Sequence, residues 1–178
     1  MNTSQIRDVL KHTPYMKNQF LDVFSCDQLP KKITKFPCAI VANTDYAGEP
    51  GKHWVCFYFD EDGDMEYFDS YGIKPISCPL YAFYQRQGKT ANWNKTQLQG
   101  WKSTVCGHWC IAFLTCRAQG ISSDEFVKKY EDGRPGKYDV EIGKVVNDGF
   151  EIHKLKTVRQ TGSGLQNCCS RFDAVLNS

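Results

Sequence analysis

Four side chains of this sequence carry the groups that nucleophilic catalysis by a thiol requires: His53, Asp69, Gln99 and Cys106. A thiolate attacks as the nucleophile, a base takes its proton, and hydrogen-bond donors bind the oxyanion that the attack creates. In this chain order His53 would be the base for Cys106, and Asp69 would fix the tautomer of the imidazole. The Gln99 amide and the backbone N–H of Cys106 would bind the oxyanion. The set predicts a thiol hydrolase, although each member alone is more often an ordinary structural residue.

The segment around Cys106 predicts a loop that ends on a buried helix. Polar and turn-forming residues 99–104 run into Val105-Cys106-Gly107, and a mostly apolar run follows to Leu114. Cys106 would then lie in the first helical turn. Unpaired backbone N–H groups and the positive end of the helix dipole favour a thiolate there.

His53 and Asp69 are predicted to lie at the two open ends of a β-hairpin. An aromatic and β-branched run follows His53, a second run ends at Asp69, and Asp62-Gly63 between them predicts a two-residue turn. In ideal register that turn places Asp69 opposite Cys56, with His53 about 10 Å further along the ribbon. A bulge, a longer turn or the departure of Asp69 from the strand would close this distance, and the sequence leaves the three open.

The remaining elements predict an α+β fold, with a mixed or largely antiparallel central sheet packed against helices and Cys106 opening the central helix. The N-terminal part predicts a helix capped by Thr3 or Ser4 and a second helix with Met16, Phe20, Leu21 and Phe24 on one face. A buried strand is predicted over residues 36–43 and a short strand within 90–98. Further helices are predicted with Pro79 in the first turn, from Cys106 to about Ala118, from Ser123 to Tyr130 and from about Tyr138 to Asn147.

Length and composition favour one domain over residues 1–160, followed by a flexible tail over 161–178. The 22 Lys and Arg residues nearly balance the 20 Asp and Glu residues, so no large field indicates a nucleic-acid partner. The polar start and the short apolar runs predict no signal peptide and no membrane segment, hence an intracellular protein without a membrane partner. Nine scattered cysteines predict reduced thiols rather than a disulfide framework.

Three short segments carry a resemblance to a known family. They are Gly51-Lys52-His53-Trp54, Phe68-Asp69-Ser70-Tyr71-Gly72, and Gln99-Gly100 at seven positions before Cys106. Over residues 36–116 the sequence resembles the adenovirus-type (adenain-like) cysteine proteases, which share a clan with the deSUMOylating cysteine proteases. The resemblance implies the same roles as above: His53 as base, Asp69 as its orienter, Gln99 as oxyanion donor and Cys106 as nucleophile.

This resemblance implies a viral endopeptidase with an adenain-like fold that cleaves precursor proteins at Gly-containing sites during virion maturation. A narrow channel between Trp54 and the Gln99 loop would explain the preference for glycine. The expected setting is the host nucleus and the virion, and the protein is expected to be a late protein and a monomer. No metal or organic cofactor is expected, whereas activation by DNA and by a viral peptide is implied.

Three features depart from the adenovirus pattern. Asp69 stands where those enzymes usually carry Glu, although the deSUMOylating enzymes use Asp. His108 and Trp109 follow the nucleophile in place of smaller or apolar residues. Gly88 stands where the family's cofactor-linking cysteine would be, and Cys78 is the nearest upstream thiol. The tail segment Gly164-Leu165-Gln166-Asn167, near Cys168-Cys169 and Arg171, faintly resembles the activating peptide, so activation in cis by this tail is a hypothesis.

Other interpretations stay open at this point. One is a protease that deconjugates a ubiquitin-like modifier, and another is a non-enzymatic binding module that keeps the fold. A zinc site at Cys106, His108, Cys110 and Cys116 is disfavoured, because His108 would not share a helix face with the cysteines. Basic side chains that the resemblance associates with a DNA surface are Lys128, Lys129, Lys154, Lys156, Arg159 and Arg171, and simple solvation explains them equally well.

Overall fold

The computed structural model describes residues 1–87 and 91–158, without the side chains of residues 91 and 150–158. The helices are α1 (Thr3–His12), α2 (Cys78–Gln87), α3 (Cys106–Ala118), α4 (Ser123–Tyr130) and α5 (Asp139–Val158). The strands are β1 (Phe20–Ser25), β2 (Cys38–Asn43), β3 (Trp54–Phe59), β4 (Met65–Phe68) and β5 (Ala91–Trp93). The predicted α+β class is confirmed.

The five strands form one mixed sheet in the order β1-β2-β3-β4-β5. The central pairs β2·β3 and β3·β4 are antiparallel, whereas β1 and β5 each add to the sheet in parallel. All six residues of β2 and five of the six in β3 are buried, which explains their nearly continuous apolar sequences.

Alternate residues of the central strands face two separate cores, as the period of two in a β-strand requires. Ala39 and Val41 of β2 join Cys56 of β3 in the core that contains α1, α3, α4 and α5. On the other face, side chains from the same strands pack with Leu80, Phe83 and Tyr84 of α2. Helix α3 therefore lies buried between the sheet and the other helices.

The N-terminal segment corrects two predictions. Helix α1 is capped by Asn2 in a capping box with Gln5, not by Thr3 or Ser4. The second predicted helix is wrong, because Phe20–Ser25 forms β1, paired in parallel with β2 from Phe20↔Ala39 to Ser25↔Asn43. The apolar spacing of the segment fits a helix, but pairing with a distant strand decides the outcome.

The β3–β4 hairpin has a three-residue loop rather than the predicted two-residue turn. Phe59 pairs with Met65 and Cys56 with Phe68, one position away from the predicted register. The N–H of Gly63 donates to the carbonyl of Asp60, and Gly63 has a φ of +81°. This is a turn followed by a left-handed glycine, the common three-residue hairpin loop. Strand β4 ends at Phe68, so Asp69 lies beyond the ladder.

The C-terminal helix also differs from its prediction. Helix α5 was expected to end near Asn147 but continues to Val158. The predicted domain boundary at 160, the tail over 161–178 and Gly88 lie outside the described residues. None of the helices in the described part of the chain is both long and apolar enough to span a bilayer.

Candidate active site

Cys106 is the first residue of α3, as the sequence predicted. The preceding residue, Val105, is the N-cap and supplies no side-chain hydrogen bond to the helix. The first-turn N–H groups are therefore not satisfied by a capping side chain and remain available to a negative group. Cys106 is 8% exposed, so it is buried but not fully enclosed.

His53 and Asp69 meet directly, which the ideal hairpin register did not allow. The Nε2 atom of His53 lies 2.8 Å from Oδ1 of Asp69. Two of the three alternatives left open by the sequence close the gap: the longer loop shifts the register, and Asp69 leaves the strand into a turn. Since Asp69 occupies Nε2, the other ring nitrogen, Nδ1, is left to face Cys106.

A dense set of hydrogen bonds fixes Asp69 at the end of β4. Its backbone N–H donates to Oδ1 of Asn94 at 2.9 Å, and Nδ2 of Asn94 donates back to the Asp69 carbonyl at 2.6 Å. The Oδ1 atom of Asp69 also accepts from the backbone N–H of Tyr71 at 2.8 Å. The turn closes at Gly72, where an added Cβ would lie 2.7 Å from the carbonyl carbon of Thr96. The acid is thus held rigidly, 4% exposed.

The charges of the Cys106–His53 pair shift both pKa values toward the ionised forms. Burial alone would lower the pKa of His53, but hydrogen bonds to Asp69 and Cys106 and their negative charges raise it to about 10. Burial alone would raise the pKa of Cys106, but the hydrogen bond with His53 and backbone N–H groups of Trp54 and Gly107 lower it. The pair therefore favours the thiolate and imidazolium forms more than isolated side chains would.

Gln99 is fully buried and its amide is held in one orientation. Its Oε1 accepts from the Ser70 hydroxyl at 2.7 Å. Its Nε2 donates to the Ser103 carbonyl at 2.8 Å and to the Tyr71 hydroxyl at 3.2 Å. The Tyr71 ring in turn lies 4.9 Å from the His53 ring, centroid to centroid. Tyr71 thus contacts both the Gln99 amide and the His53 ring, and links Gln99 to the Cys106–His53 pair.

Trp54 is half-buried next to the start of α3. Its indole Nε1 donates to the Met1 carbonyl at 3.1 Å. A Cβ at Gly107 would lie 3.3 Å from the Trp54 ring and 3.1 Å from Ile6. The glycine after Cys106 therefore lets Trp54 pack closely against the helix, beside Cys106.

Three residues of the site were not assigned a role from the sequence: Ser70, Tyr71 and Asn94. Ser70 and Tyr71 lie inside the segment Phe68–Gly72 that carried the family resemblance, so a signal for them existed. Asn94 lies in a polar stretch whose position against the β4 end the sequence does not reveal. All three make hydrogen bonds to Asp69 or Gln99, two of the four predicted residues.

The disfavoured zinc grouping finds no support in the geometry. Within residues 1–87 and 91–158, no group of three or more His, Cys, Asp or Glu side chains is arranged to hold a metal ion. His108 directs Nε2 to Oδ1 of Asn147 on α5 at 3.2 Å, and burial lowers the pKa of its imidazole. Cys110 lies in the core beneath Cys106.

A cysteine at a helix start, hydrogen-bonded to a histidine that an aspartate orients, is the side-chain arrangement of a thiol hydrolase. The comparisons with known proteins agree with this class. The chain is 30% identical over 111 residues to the cysteine protease S273R of African swine fever virus, isolate Tick/Malawi/Lil 20-1/1983. It is 29% identical over 111 residues to the SUMO-1 cysteine protease S273R of isolate Warthog/Namibia/Wart80/1980. No protein-family model matches the chain.

These relatives are longer proteins than this chain. Each match spans 54% of this chain and 40% of the relative. The crystal structure of the African swine fever virus pS273R protease superposes with a TM-score of 0.54 at 20% identity, over 82% of this chain and 66% of that one. At this identity the superposition shows a shared fold, that of a viral cysteine protease. The narrower adenovirus-type assignment stays a prediction.

Proposed function

We propose that this chain is a cysteine endopeptidase of viral type that cleaves precursor proteins at glycine-containing sites during virion maturation. The observation that carries the proposal is the linked set of Cys106, His53 and Asp69, with the thiol at the start of α3 and a 2.8 Å contact between imidazole and carboxylate. The fold shared with pS273R protease and the names of the sequence relatives support the same class.

In the proposed reaction the Cys106 thiolate attacks the carbonyl carbon of the scissile peptide bond. The new S–C bond forms as the carbonyl π electrons move to oxygen, and the Gln99 amide with the backbone N–H of Cys106 receives that oxyanion. When the C–N bond breaks, His53 gives its proton to the leaving amine. Water then attacks the thioester, with His53 taking its proton, and the thiolate is regenerated.

Glycine specificity would follow from the narrow approach to the nucleophile. Trp54 packs against Gly107, the residue after Cys106, and the Gln99 amide is bonded to Ser103 in the loop that precedes Cys106. A side chain on the substrate residue that crosses this channel would collide with the indole. The expectation is that peptides with Ala in place of the glycine nearest the scissile bond are cleaved much more slowly.

A second candidate is deconjugation of a ubiquitin-like modifier. The relative named SUMO-1 cysteine protease S273R favours it. The same four residues would perform the reaction, because only the leaving amine differs between an isopeptide and a peptide bond. The two functions separate by substrate: a short precursor peptide for the first, and a folded modifier joined through its C-terminal glycine for the second.

Two further expectations come from the adenovirus-type resemblance. The enzyme would be stimulated by DNA, with Lys128 and Lys129 of α4 as described candidates for that surface, and by a viral peptide. Lys154, Lys156, Arg159 and Arg171, and the cis-activating tail with Cys168-Cys169, lie outside the described side chains. We expect a monomer located in the host nucleus and in the virion, with no metal or organic cofactor.

The test compares the full chain with Cys106→Ala on a glycine-containing peptide library and on a folded ubiquitin-like modifier fused to a reporter, each with and without DNA. We expect wild type to cleave and Cys106→Ala to lose at least about 10⁴-fold in rate. Cys78→Ala is the matched control, because Cys78 is an exposed thiol on α2. Equal cleavage by wild type and Cys106→Ala would refute the proposal.

Alkylation by iodoacetamide tests the non-enzymatic alternative. Access favours Cys78, whereas thiolate character favours the 8% exposed Cys106. We expect Cys106 to react faster than Cys78 at neutral pH, measured by peptide mapping of the modified protein. A faster Cys78 would support a binding module that keeps only the fold.

A further inference from the structure

The hydroxyl of Tyr71 occupies a position that the proposed oxyanion mechanism does not use. It accepts a hydrogen bond from Nε2 of Gln99 at 3.2 Å, while the second Nε2 proton goes to the Ser103 carbonyl at 2.8 Å. Both amide protons are therefore engaged. The longer contact, to Tyr71, is the one that an incoming oxyanion would share or replace.

The Tyr71 ring is fixed too firmly to act as a swinging gate. One face lies against His53 at 4.9 Å between ring centroids, and the other stacks on Trp101 at 4.9 Å with an interplanar angle of 13°. Its backbone N–H is bonded to Asp69 at 2.8 Å. The next residue, Gly72, has a φ of +70° and lies so near the Thr96 backbone that an added Cβ would be 2.7 Å from its carbonyl carbon. A hydroxyl held in this way is pre-organised.

The chemical state of the hydroxyl suits a donor. Because Tyr71 accepts from Gln99, its own O–H proton is directed elsewhere. Burial and the negative charges of Cys106 and Asp69 raise the pKa of Tyr71, so the proton is retained at neutral pH. The Tyr71 ring also lies 4.9 Å from the ring of His53, the hydrogen-bond partner of Cys106.

We propose that the Tyr71 hydroxyl is a further catalytic residue, which donates to the oxyanion together with the Gln99 amide. An oxygen within hydrogen-bond reach of Gln99 Nε2 on its Tyr71 side would lie within reach of both donors. Such a donor stabilises the charge that develops in the transition state and leaves substrate binding nearly unchanged. The inference rests on the proposed thiol hydrolysis and adds a residue that sequence reasoning did not assign.

The test is Tyr71→Phe in the full chain, because phenylalanine keeps both ring contacts and removes only the hydroxyl. We expect kcat for a glycine-containing peptide to fall about 10- to 100-fold with little change in KM. A peptide aldehyde, whose adduct with Cys106 carries the same oxygen, should bind Tyr71→Phe more weakly by a comparable factor. Tyr81→Phe, at an exposed position on α2, is the matched control and should be unchanged.

A second comparison separates direct donation from an effect through Gln99. In a Gln99→Ala background, Tyr71→Phe should still lower kcat severalfold, because the phenol touches the oxyanion itself. If the hydroxyl only positions Gln99, the second substitution would have no further effect, which would overturn the inference. Unchanged or raised kcat in Tyr71→Phe would overturn it as well, the latter by showing a hydroxyl that blocks the site.

The outcomes for Tyr71 remain distinct from failure of the proposed function. Alkylation of Cys106 by iodoacetamide creates no oxyanion, so Tyr71→Phe should leave its rate and pH profile unchanged. If wild type cleaves nothing and Cys106 shows no enhanced alkylation, the thiol hydrolase itself is wrong. If wild type cleaves and Tyr71→Phe cleaves equally well, only the role of Tyr71 is wrong.

Discussion

The first and second turns of α3 each contain a buried cysteine, yet the pKa values of the two thiols are shifted in opposite directions. Cys106 and Cys110 are 8% and 0% exposed. Burial raises the pKa of both, but the hydrogen bond and charge of His53, with backbone N–H groups, lower the pKa of Cys106. Cys110 is fully enclosed, and burial together with a side-chain hydrogen bond to Cys56 raises its pKa well above the usual value. The Cys56 thiol also lies 3.9 Å from the backbone carbonyl of Cys110, to which it donates.

The comparison shows that burial on α3 does not by itself decide the direction in which the pKa of a cysteine shifts. The two residues share a helix face, one turn apart. What differs is the partner: an imidazole hydrogen-bonded to an aspartate for Cys106, and the side chain of another cysteine, Cys56, for Cys110. Reactivity at α3 therefore depends on the ends of β3 and β4, where His53 and Asp69 converge.

His53→Ala should erase the difference between the two turns and gives the largest expected effect. Without the imidazole, burial would dominate the pKa of Cys106 as it does that of Cys110. Peptide cleavage should fall by about 10⁴-fold, and alkylation of Cys106 at neutral pH by up to about 100-fold. Mass spectrometry of alkylated peptides at fixed times measures the second effect, with Cys78 as the internal reference. Persistent rapid alkylation of Cys106 would mean that the helix start alone activates the thiol.

Asp69→Asn should narrow the pH range of activity from the alkaline side. The ion pair exists above the lowered pKa of Cys106 and below the His53 pKa of about 10. Loss of the Asp69 charge lowers the His53 pKa, so activity should begin to decline at a lower pH than in wild type. At neutral pH we expect a loss of about 10- to 100-fold in kcat. The full pH profile of kcat/KM is the measurement, and an unmoved alkaline limb would contradict the orienting role of Asp69.

The features of the fold and the site that the sequence predicts are those that depend on local patterns. Local patterns predicted α3, α4, the β3–β4 hairpin and the residue types of the site, because periodicity and turn chemistry are local properties. The register of the hairpin was missed because the Asp60 side chain accepts from the N–H groups of Asp62 and Asp64, which stabilises a three-residue loop. That single extra residue, with Asp69 outside the strand, brings acid and histidine together.

Long-range contacts account for the other failures. The segment Phe20–Ser25 has a helical apolar spacing, yet it forms β1 because β2 offers a parallel partner. Ser70, Tyr71 and Asn94 were not predicted as site residues because their roles depend on where the loop before α3 crosses the end of β4. No local pattern encodes that crossing. The sequence therefore predicts the proposed catalytic residues more easily than the residues that position them.

Cys110→Ser should lower the stability of the protein, and this substitution tests the environment of the second turn of α3. A hydroxyl at this fully buried position lacks a water partner, and we expect the free energy of unfolding to fall by about 1–3 kcal/mol. Cys106→Ser is the matched control, because the polar groups of His53 and nearby backbone N–H groups surround its side chain. We expect it to change stability by less than about 0.5 kcal/mol. Urea unfolding monitored by circular dichroism measures both, and equal losses would contradict the distinction between the two turns.

Ser70→Ala should give the smallest effect on activity. This effect should arise at Gln99, the proposed oxyanion donor, and not at the Cys106–His53 pair. The Ser70 hydroxyl donates to Oε1 of Gln99 at 2.7 Å, and this bond fixes which end of the amide is oxygen and which is nitrogen. Without it the amide can rotate and present oxygen toward the oxyanion, so kcat should fall about 10-fold.

The alkylation rate of Cys106 shows whether the loss of kcat in Ser70→Ala arises at Gln99 alone. Its rate at Cys106 should stay unchanged in Ser70→Ala, because neither Cys106 nor His53 bonds to Ser70, and Ser4→Ala on α1 serves as the exposed control. Parallel losses of cleavage and alkylation would mean that the Asp69 turn itself has moved. In that case the Gln99 amide and the Cys106–His53 pair would have to be treated as one coupled unit rather than two separable halves.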